Sequence, residues 1–365
     1  MPEKKGLVGW ILYKVSQADL LPSHYEMNRF IEAGKKRGIE INVIRPEQLD
    51  LIVTREDRKS IRLDGKVVAL PDFVIPRQGA VTPYFSLAII RHLERLGVLI
   101  LNDSNAIECV KDKLYTQQIL AKNEFPLPKT MLVKFPLNPE LVEKVLGLPV
   151  VVKVISGSQG SGVYLAETKS SFEDVLTLIE STKSKANIIL QEFIANTRGR
   201  DLRVFVVGGR PIACMERRST DGSFKANISR GGEPKPYPMN LEIEMLAVEA
   251  SRVLNLDIAG VDLLFDTDHF KICEVNSSPG FKGLEAAHPG LNTADLILQY
   301  AEMRLGVFRS PEDEMAPPKE LAESNAAAAA ASSAQVENVT TSMDEKLCLV
   351  DDDEKKSPEE INTTD

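Results

Sequence analysis

The sequence predicts an α/β protein with α+β elements, built on a parallel sheet at its N-terminal end, and three observations carry that prediction. Strand-like and helix-like segments alternate through the first hundred residues. From Leu148 onward, strand-like runs recur at Leu148 to Lys153, Val163 to Ala166, Ile188 to Ile194 and Gly199 to Pro211. Late in the chain, two apolar strands meet at the turn Asp266-Thr267-Asp268, the pattern of a hairpin.

The N-terminal run Leu7-Val8-Gly9-Trp10-Ile11-Leu12 is too short for a signal-peptide core and lacks a small-residue cleavage pattern, so it reads as a first buried strand. An amphipathic stretch from Tyr25 to Lys36 and a strand at Ile39 to Ile44 follow, then a hairpin-like polar stretch around Asp64-Gly65. A strand from Asp72 to Ile75 comes next, then a helix from Thr82 to Leu96 and an apolar strand from Val98 to Leu101. Arg77 stands just past Phe73-Val74-Ile75, at the carboxyl end of a strand, where such sheets collect ligands.

From Asp112 a helix carries Lys113, Gln117 and Leu120, and Phe125-Pro126-Leu127-Pro128 ends it. The strand Leu148 to Lys153 runs into Ser156-Gly157-Ser158-Gln159-Gly160-Ser161-Gly162. Three glycines among small polar residues let backbone N–H groups approach phosphate oxygens. The loop is no Walker A motif, lacking a Gly-Lys-Ser/Thr end, and a strand (Val163 to Ala166) rather than a helix follows it. Further strands occupy Ile188 to Ile194 and the stretch from Gly199 to Pro211, before Glu216-Arg217-Arg218 and Asn227-Ile228-Ser229-Arg230-Gly231-Gly232.

In the hairpin, side chains alternate faces, so Glu274 and Asn276 point the same way, and a short turn places Asp262 opposite them. Three oxygen ligands converge, with no His or Cys in a ligand spacing. Such a set suits Mg²⁺ or Mn²⁺, whose remaining ligands come from phosphates and water. The hairpin therefore reads as a platform for nucleotide phosphates.

Composition excludes several classes. The 365 residues suffice for two or three domains with full cores, and no stretch approaches a membrane span. Cys109, Cys214, Cys273 and Cys348 lie far apart without a CxxC, which points to inert thiols in a reducing cytosol or nucleus. His24, His92, His269 and His288 are scattered, and no Ser/His/Asp order stands out. The whole chain carries −9 and the stretch from Pro311 carries −11, so the remainder carries +2. With its alanine run and few aromatics, residues 309–365 read as a disordered acidic tail outside the catalytic unit. No basic stripe interleaved with aromatics appears, so nucleic acid is not required as a partner, and with no membrane-length stretch no membrane is expected.

An ordered set of segments closely resembles the ATP-grasp ligases, and among them the RimK-like glutamate ligases. It runs from about Pro71 to Gly306 and comprises Val74-Ile75-Pro76-Arg77 with Gly79, Asp112-Lys113-Leu114, Val151-Val152-Lys153 and Gln159-Gly160-Ser161-Gly162-Val163. Gln191-Glu192, Asp201-Leu202-Arg203, Asn227 with Arg230-Gly231-Gly232, Ala259-Gly260-Val261-Asp262 and Glu274-Val275-Asn276 with Ser278-Pro279-Gly280 complete it. One departure is Ser156, where many relatives carry a glutamate.

The resemblance implies an ATP-grasp fold: an N-terminal α/β domain over residues 1–104, a central subdomain over 105–186 with the glycine loop as a lid, and a C-terminal subdomain over 187–308. It implies that Lys113, Lys153, Lys225 and Asn227 face the ATP phosphates, with Gly160 and Gly162 in the lid. Gln191, Glu192, Phe193 and Ile194 would frame the adenine and Asp201 would bind the ribose. Asp262, Glu274 and Asn276 would hold two ions of Mg²⁺ or Mn²⁺. Arg203, Arg217 and Arg230 are the implied catalytic arginines, and Arg77 and Ser278 the substrate contacts.

The implied reaction joins L-glutamate to a carboxylate acceptor, either a peptide C-terminus or a small acid such as N-acetylaspartate or citrate, through an acylphosphate. Two other readings are a catalytically silent nucleotide-binding regulator and an interaction protein acting through its acidic tail. A homo-oligomer is left open.

Overall fold

The computed structural model describes residues 6–55, 60–155, 162–181 and 187–308. The acidic tail therefore lies outside the described residues, as does the glycine loop up to Ser161.

The N-terminal elements are β1 (Val8–Leu12), α1 (Tyr25–Arg37), β2 (Glu40–Ile44), β3 (Leu49–Leu51), β4 (Ile61–Leu63), β5 (Lys66–Val67), β6 (Phe73–Pro76), α2 (Tyr84–Arg95) and β7 (Leu99–Ile100). Strands β2-β1-β6-β7 form one sheet in that order, paired in parallel throughout. Its strands are buried nearly end to end, as a sheet covered on both faces requires. The hairpin at Asp64-Gly65 joins β4 to β5 in a small antiparallel sheet, and both turn residues have positive φ.

Two helices follow, α3 (Ser104–Lys111) and α4 (Lys113–Lys122). The Asp112 side chain accepts from the N–H groups of Leu114 and Tyr115, a cap that fixes where α4 starts and hence where Lys113 stands. The central elements are β8 (Thr130–Leu132), α5 (Pro139–Leu146), β9 (Val150–Val154), β10 (Val163–Ala166), α6 (Lys169–Ser181) and β11 (Ile188–Glu192). They build the antiparallel sheet β10-β9-β11-β8, backed by α5 and α6 over a core of Val142, Val150, Val152, Phe172 and Leu190.

The last part comprises β12 (Arg200–Val207), β13 (Arg210–Arg218), β14 (Glu233–Pro236), α7 (Leu241–Val253), β15 (Ile258–Phe265), β16 (Phe270–Asn276), α8 (Lys282–Ala287) and α9 (Thr293–Arg304). Its five-stranded antiparallel sheet runs β14-β13-β12-β15-β16. One face packs on α4 and α7 through Leu202, Val204, Val261 and Ile272. The other shares a core with the parallel sheet, where Ile11, Phe30, Phe73, Phe205, Phe281 and Ile297 meet. Arg37 of α1 bridges to Asp295 and Glu302 of α9 across the same junction. Asn102 is also part of it: its amide donates to the Ile258 and Ser277 carbonyls and accepts from the Ile258 N–H. No helix among the described residues is long and apolar enough to cross a membrane.

Candidate active site

Strand alternation decides which side chains reach the site. Val204, Val261 and Val275 face the α7 side, so Asp201 and Arg203 on β12, Asp262 on β15, and Glu274 and Asn276 on β16 share the opposite face. Farther along β12 that face supplies Phe205 and Val207 to the core. In the central sheet Val150, Val152 and Leu190 go inward, which leaves Val151, Lys153 and Gln191 on the outer face. Both faces border one cavity of about 740 Å³.

At its floor lies a chain of buried charges. Arg203 donates from Nε and Nη2 to the two carboxylate oxygens of Asp262, both at 2.7 Å. Arg217 grips Asp201 the same way, at 2.6 and 2.7 Å, and its Nη2 also reaches Asp262 Oδ2 at 2.9 Å. Burial works against the Asp262 charge, but the two guanidinium groups outweigh it and hold its pKa below the ordinary aspartate value. Asp201 goes the other way: burial pushes its pKa up despite Arg217.

Asp262 and Glu274 are direct partners in the β15–β16 register, as are Gly260 and Asn276, so the three expected ligands lie on one patch. Asn276 Nδ2 stands 3.4 Å from Glu274 Oε1. Asp262 Oδ1 accepts a single bond, from Arg203, so one of its lone pairs is open, while Oδ2 is doubly engaged. This all-oxygen set fits a hard divalent cation. Among the described residues no three of His, Cys, Asp and Glu cluster as metal ligands, so such an ion would take Asn276 and further oxygens from phosphate or water.

Alternation alone sends Cys273 away from the cavity. The register slips between Asp262 and Leu263, so that Leu263 faces Ile272 and Cys273 is an extra, bulged residue. The bulge returns Ile272 to the core and brings Cys273 to the cavity wall. Its sulfur accepts from Lys153 Nζ at 3.4 Å. It is thus a site residue that scattered cysteine spacing does not reveal.

Lys153 is buried and donates to Gln191 Oε1 at 2.6 Å. Gln191 in turn donates from Nε2 to Thr130 Oγ1 at 3.0 Å, which fixes the amide's orientation, since a lysine can only donate. Burial opposes the Lys153 charge, yet Cys273, Glu274 and Asp262 outweigh it and hold its pKa above the usual lysine value. Lys113 approaches the Ile155 carbonyl at 3.5 Å. Glu192 takes the Lys129 N–H and pairs with Lys271, and Phe193 and Ile194 continue the cavity edge. Lys225 lies over the Tyr164 and Phe224 rings at 5.6 and 5.5 Å, with Asn227 two residues on.

Gly160 and the Arg230 side chain lie outside the described residues. Gly162 does not line the cavity; at φ +68° it backs onto Val154, where an added Cβ would meet Cγ2 at 3.0 Å.

The parallel sheet supplies the opposite wall. Arg77 is 8% exposed, its Nη2 donates to the Pro279 carbonyl at 2.8 Å, and Ser278 stands beside Gly79. Tyr13, Lys14, Glu26 and Lys282 complete that wall, none of them marked by a local motif.

Sixteen of the residues expected at the site therefore border one cavity. Its lining carries nine lysines and arginines against five carboxylates, an excess of four positive charges, so it suits a polyanion.

A family model described as the RimK-like ATP-grasp domain matches residues 110–301, and one described as the RimK PreATP-grasp domain matches residues 20–107. The chain belongs to the RimK-like ATP-grasp family. A probable alpha-L-glutamate ligase 1 from Shewanella amazonensis is 37% identical over 282 residues, 77% of this chain and 92% of that protein. Its namesake from Hahella chejuensis is 39% identical over 285 residues, 78% of this chain and 92% of that one. The structure of ATP-grasp ligase PsnB, complexed with a phosphomimetic variant of minimal precursor, Mg and ADP, matches with TM-score 0.62 at 16% identity, over 82% of this chain and 99% of that chain. That likeness is one of fold: the parallel sheet and antiparallel sheets form an ATP-grasp architecture.

Proposed function

We propose that this ATP-grasp ligase joins L-glutamate to a carboxylate acceptor through an acylphosphate, releasing ADP and phosphate. The observation that carries the reading is the placement of Asp262, Glu274 and Asn276 on the floor of a cavity with four excess positive charges. The relatives named as probable alpha-L-glutamate ligases support glutamate as the amine. The acceptor is a small acid such as N-acetylaspartate or citrate, or a peptide C-terminus.

Residues 1–104, 105–186 and 187–308 act as N-terminal, central and C-terminal parts, with ATP between the last two. Lys113, Lys153, Lys225 and Asn227 bind its phosphates, Gly160 and Gly162 belong to the lid, Gln191 to Ile194 frame the base, and Asp201 binds the ribose. Asp262, Glu274 and Asn276 would hold Mg²⁺ or Mn²⁺, which when bound neutralises phosphate charge.

A carboxylate is a poor acylating agent until its oxygen becomes a phosphate leaving group, and the transfer needs positioning and charge neutralisation above all. Arg203, Arg217 and Arg230 supply cationic N–H donors to developing oxyanions. Arg203 and Arg217 each keep Nη1 outside their pairing with Asp262 and Asp201. The described cysteines are free thiols.

The test places oxygen-18 in the acceptor carboxylate and follows it by mass with ATP, Mg²⁺ and glutamate. Label in the released phosphate is expected; label confined to the ligated product would remove the acylphosphate. A chain ending at Phe308 should keep full ligation, and loss of activity in it would favour the tail as the working part.

A further inference from the structure

The wall built from the parallel sheet carries an anion and a cation that do not spend themselves on each other. Glu26, in the first turn of α1, accepts one bond, from the Phe281 N–H at 3.2 Å, and its Oε1 stands where a Cβ on Gly280 would approach to 3.1 Å. Arg77 donates to the Pro279 carbonyl, and its buried Nε has no partner. No ion pair joins the two, although both border the cavity, as Tyr13 does. Lys14 and Lys282 add two exposed cations to the same wall and form no ion pair among the described residues.

A buried guanidinium with an unused donor is costly unless a ligand completes it. A carboxylate and a guanidinium held apart across a cavity match a molecule bearing both charges. Three cations and one carboxylate give this wall a net charge of +2, which suits a ligand with one ammonium for Glu26 and more than one anionic group for the cations. That is the charge pattern of an acidic α-amino acid, whereas an acceptor acid without an amine would leave Glu26 unmatched.

We propose that Glu26 and Arg77 form the binding subsite for the incoming amino acid, Glu26 holding its ammonium and Arg77 its α-carboxylate, with Lys14 and Lys282 serving the side-chain carboxylate. The inference rests on the ligase reading above and names the site of its amine substrate. Phosphate-facing residues lie on other elements, so a lesion here spares the first half-reaction.

The experiment uses the full chain with ATP, Mg²⁺ and either N-acetylaspartate or citrate as acceptor, and compares L-glutamate with hydroxylamine as the amine. Hydroxylamine carries neither carboxylate, so it traps an acylphosphate as a hydroxamate without the subsite. Glu26→Gln should raise the KM for glutamate by about 10- to 100-fold, the loss of one charge-assisted bond, while hydroxamate still forms. Glu26→Asp should recover part of the affinity, which a folding defect would not allow. Glutarate, which lacks the ammonium, should inhibit Glu26→Gln as well as it inhibits the parent chain. An unchanged KM for glutamate overturns the proposal, as does a parallel loss of hydroxamate and of acceptor affinity. If the parent chain ligates glutamate to one of these acids yet gives no hydroxamate, the acylphosphate reading fails, and the glutamate KM of Glu26→Gln still decides the subsite.

Discussion

Asp262 and Glu274 sit side by side yet differ in what else they hold. Asp262 pairs with two buried arginines, whereas the Glu274 side chain is approached by the Asn276 amide. Glu274→Gln should therefore abolish ADP formation with the fold intact. Asp262→Asn should lose activity and stability together, by about 3–5 kcal/mol in urea unfolding, because it leaves the Arg203 guanidinium uncompensated and takes from Arg217 the second of its two carboxylates. Equal stability of the two variants would contradict this. The pH dependence has a defined sign: Asp262 is depressed in the fold, so its contribution is present above the ordinary Asp pKa and is lost as pH falls through the lower folded value. Asp201 is raised, so it binds its proton in the fold at a pH where the unfolded chain has released it and opposes that trend. The carboxylates and Asn276 are legible in the sequence because a period of two puts them on one face. Cys273 is hidden by the bulge, and Glu26 because it meets Phe281 from 255 positions away in the chain.

The β15–β16 hairpin shows how an element holds its register. Gly260 lies opposite Asn276, and an added Cβ would come within 2.6 Å of Pro279 Cβ and 3.6 Å of Arg203 Nε. Gly260→Ala should thus displace the segment bearing Ser278, lowering stability by about 1–3 kcal/mol as overpacking does and reducing the turnover of the folded enzyme more than Gly290→Ala, whose cost is the backbone strain of φ +95° at a position that does not border the cavity. Melting temperature and turnover on both variants check this. Local chemistry announces such elements: the polar turn, the Asp112 cap and the β-branched runs all show in the sequence. The order β14-β13-β12-β15-β16 does not, since β12 pairs with β15 across a long intervening stretch and no local pattern states a partner.

At the scale of the molecule, the parallel sheet and the five-stranded sheet share one core, with Phe281 against Phe30, Phe205 and Tyr25 at ring distances of 5.7, 6.3 and 6.3 Å. Phe281→Ala should cost about 3–5 kcal/mol, and hydrogen exchange should then quicken in both sheets at once. The central sheet, with a core of its own, should change least. Uniform acceleration across all three would count against this division. The class of fold was readable from alternation alone, but a shared core depends on which faces meet, and composition does not record that.

The bulge at Cys273 also makes the cavity chemically addressable. Burial pushes the thiol's pKa up, so a maleimide should label it slowly near neutrality and faster as the pH rises, the thiolate being the nucleophile. A Cys273→Ser chain identifies which labelling belongs to this site. ATP should slow that labelling in the parent chain, giving an occupancy reading that needs neither glutamate nor an acceptor and runs on protein that has completed no turnover.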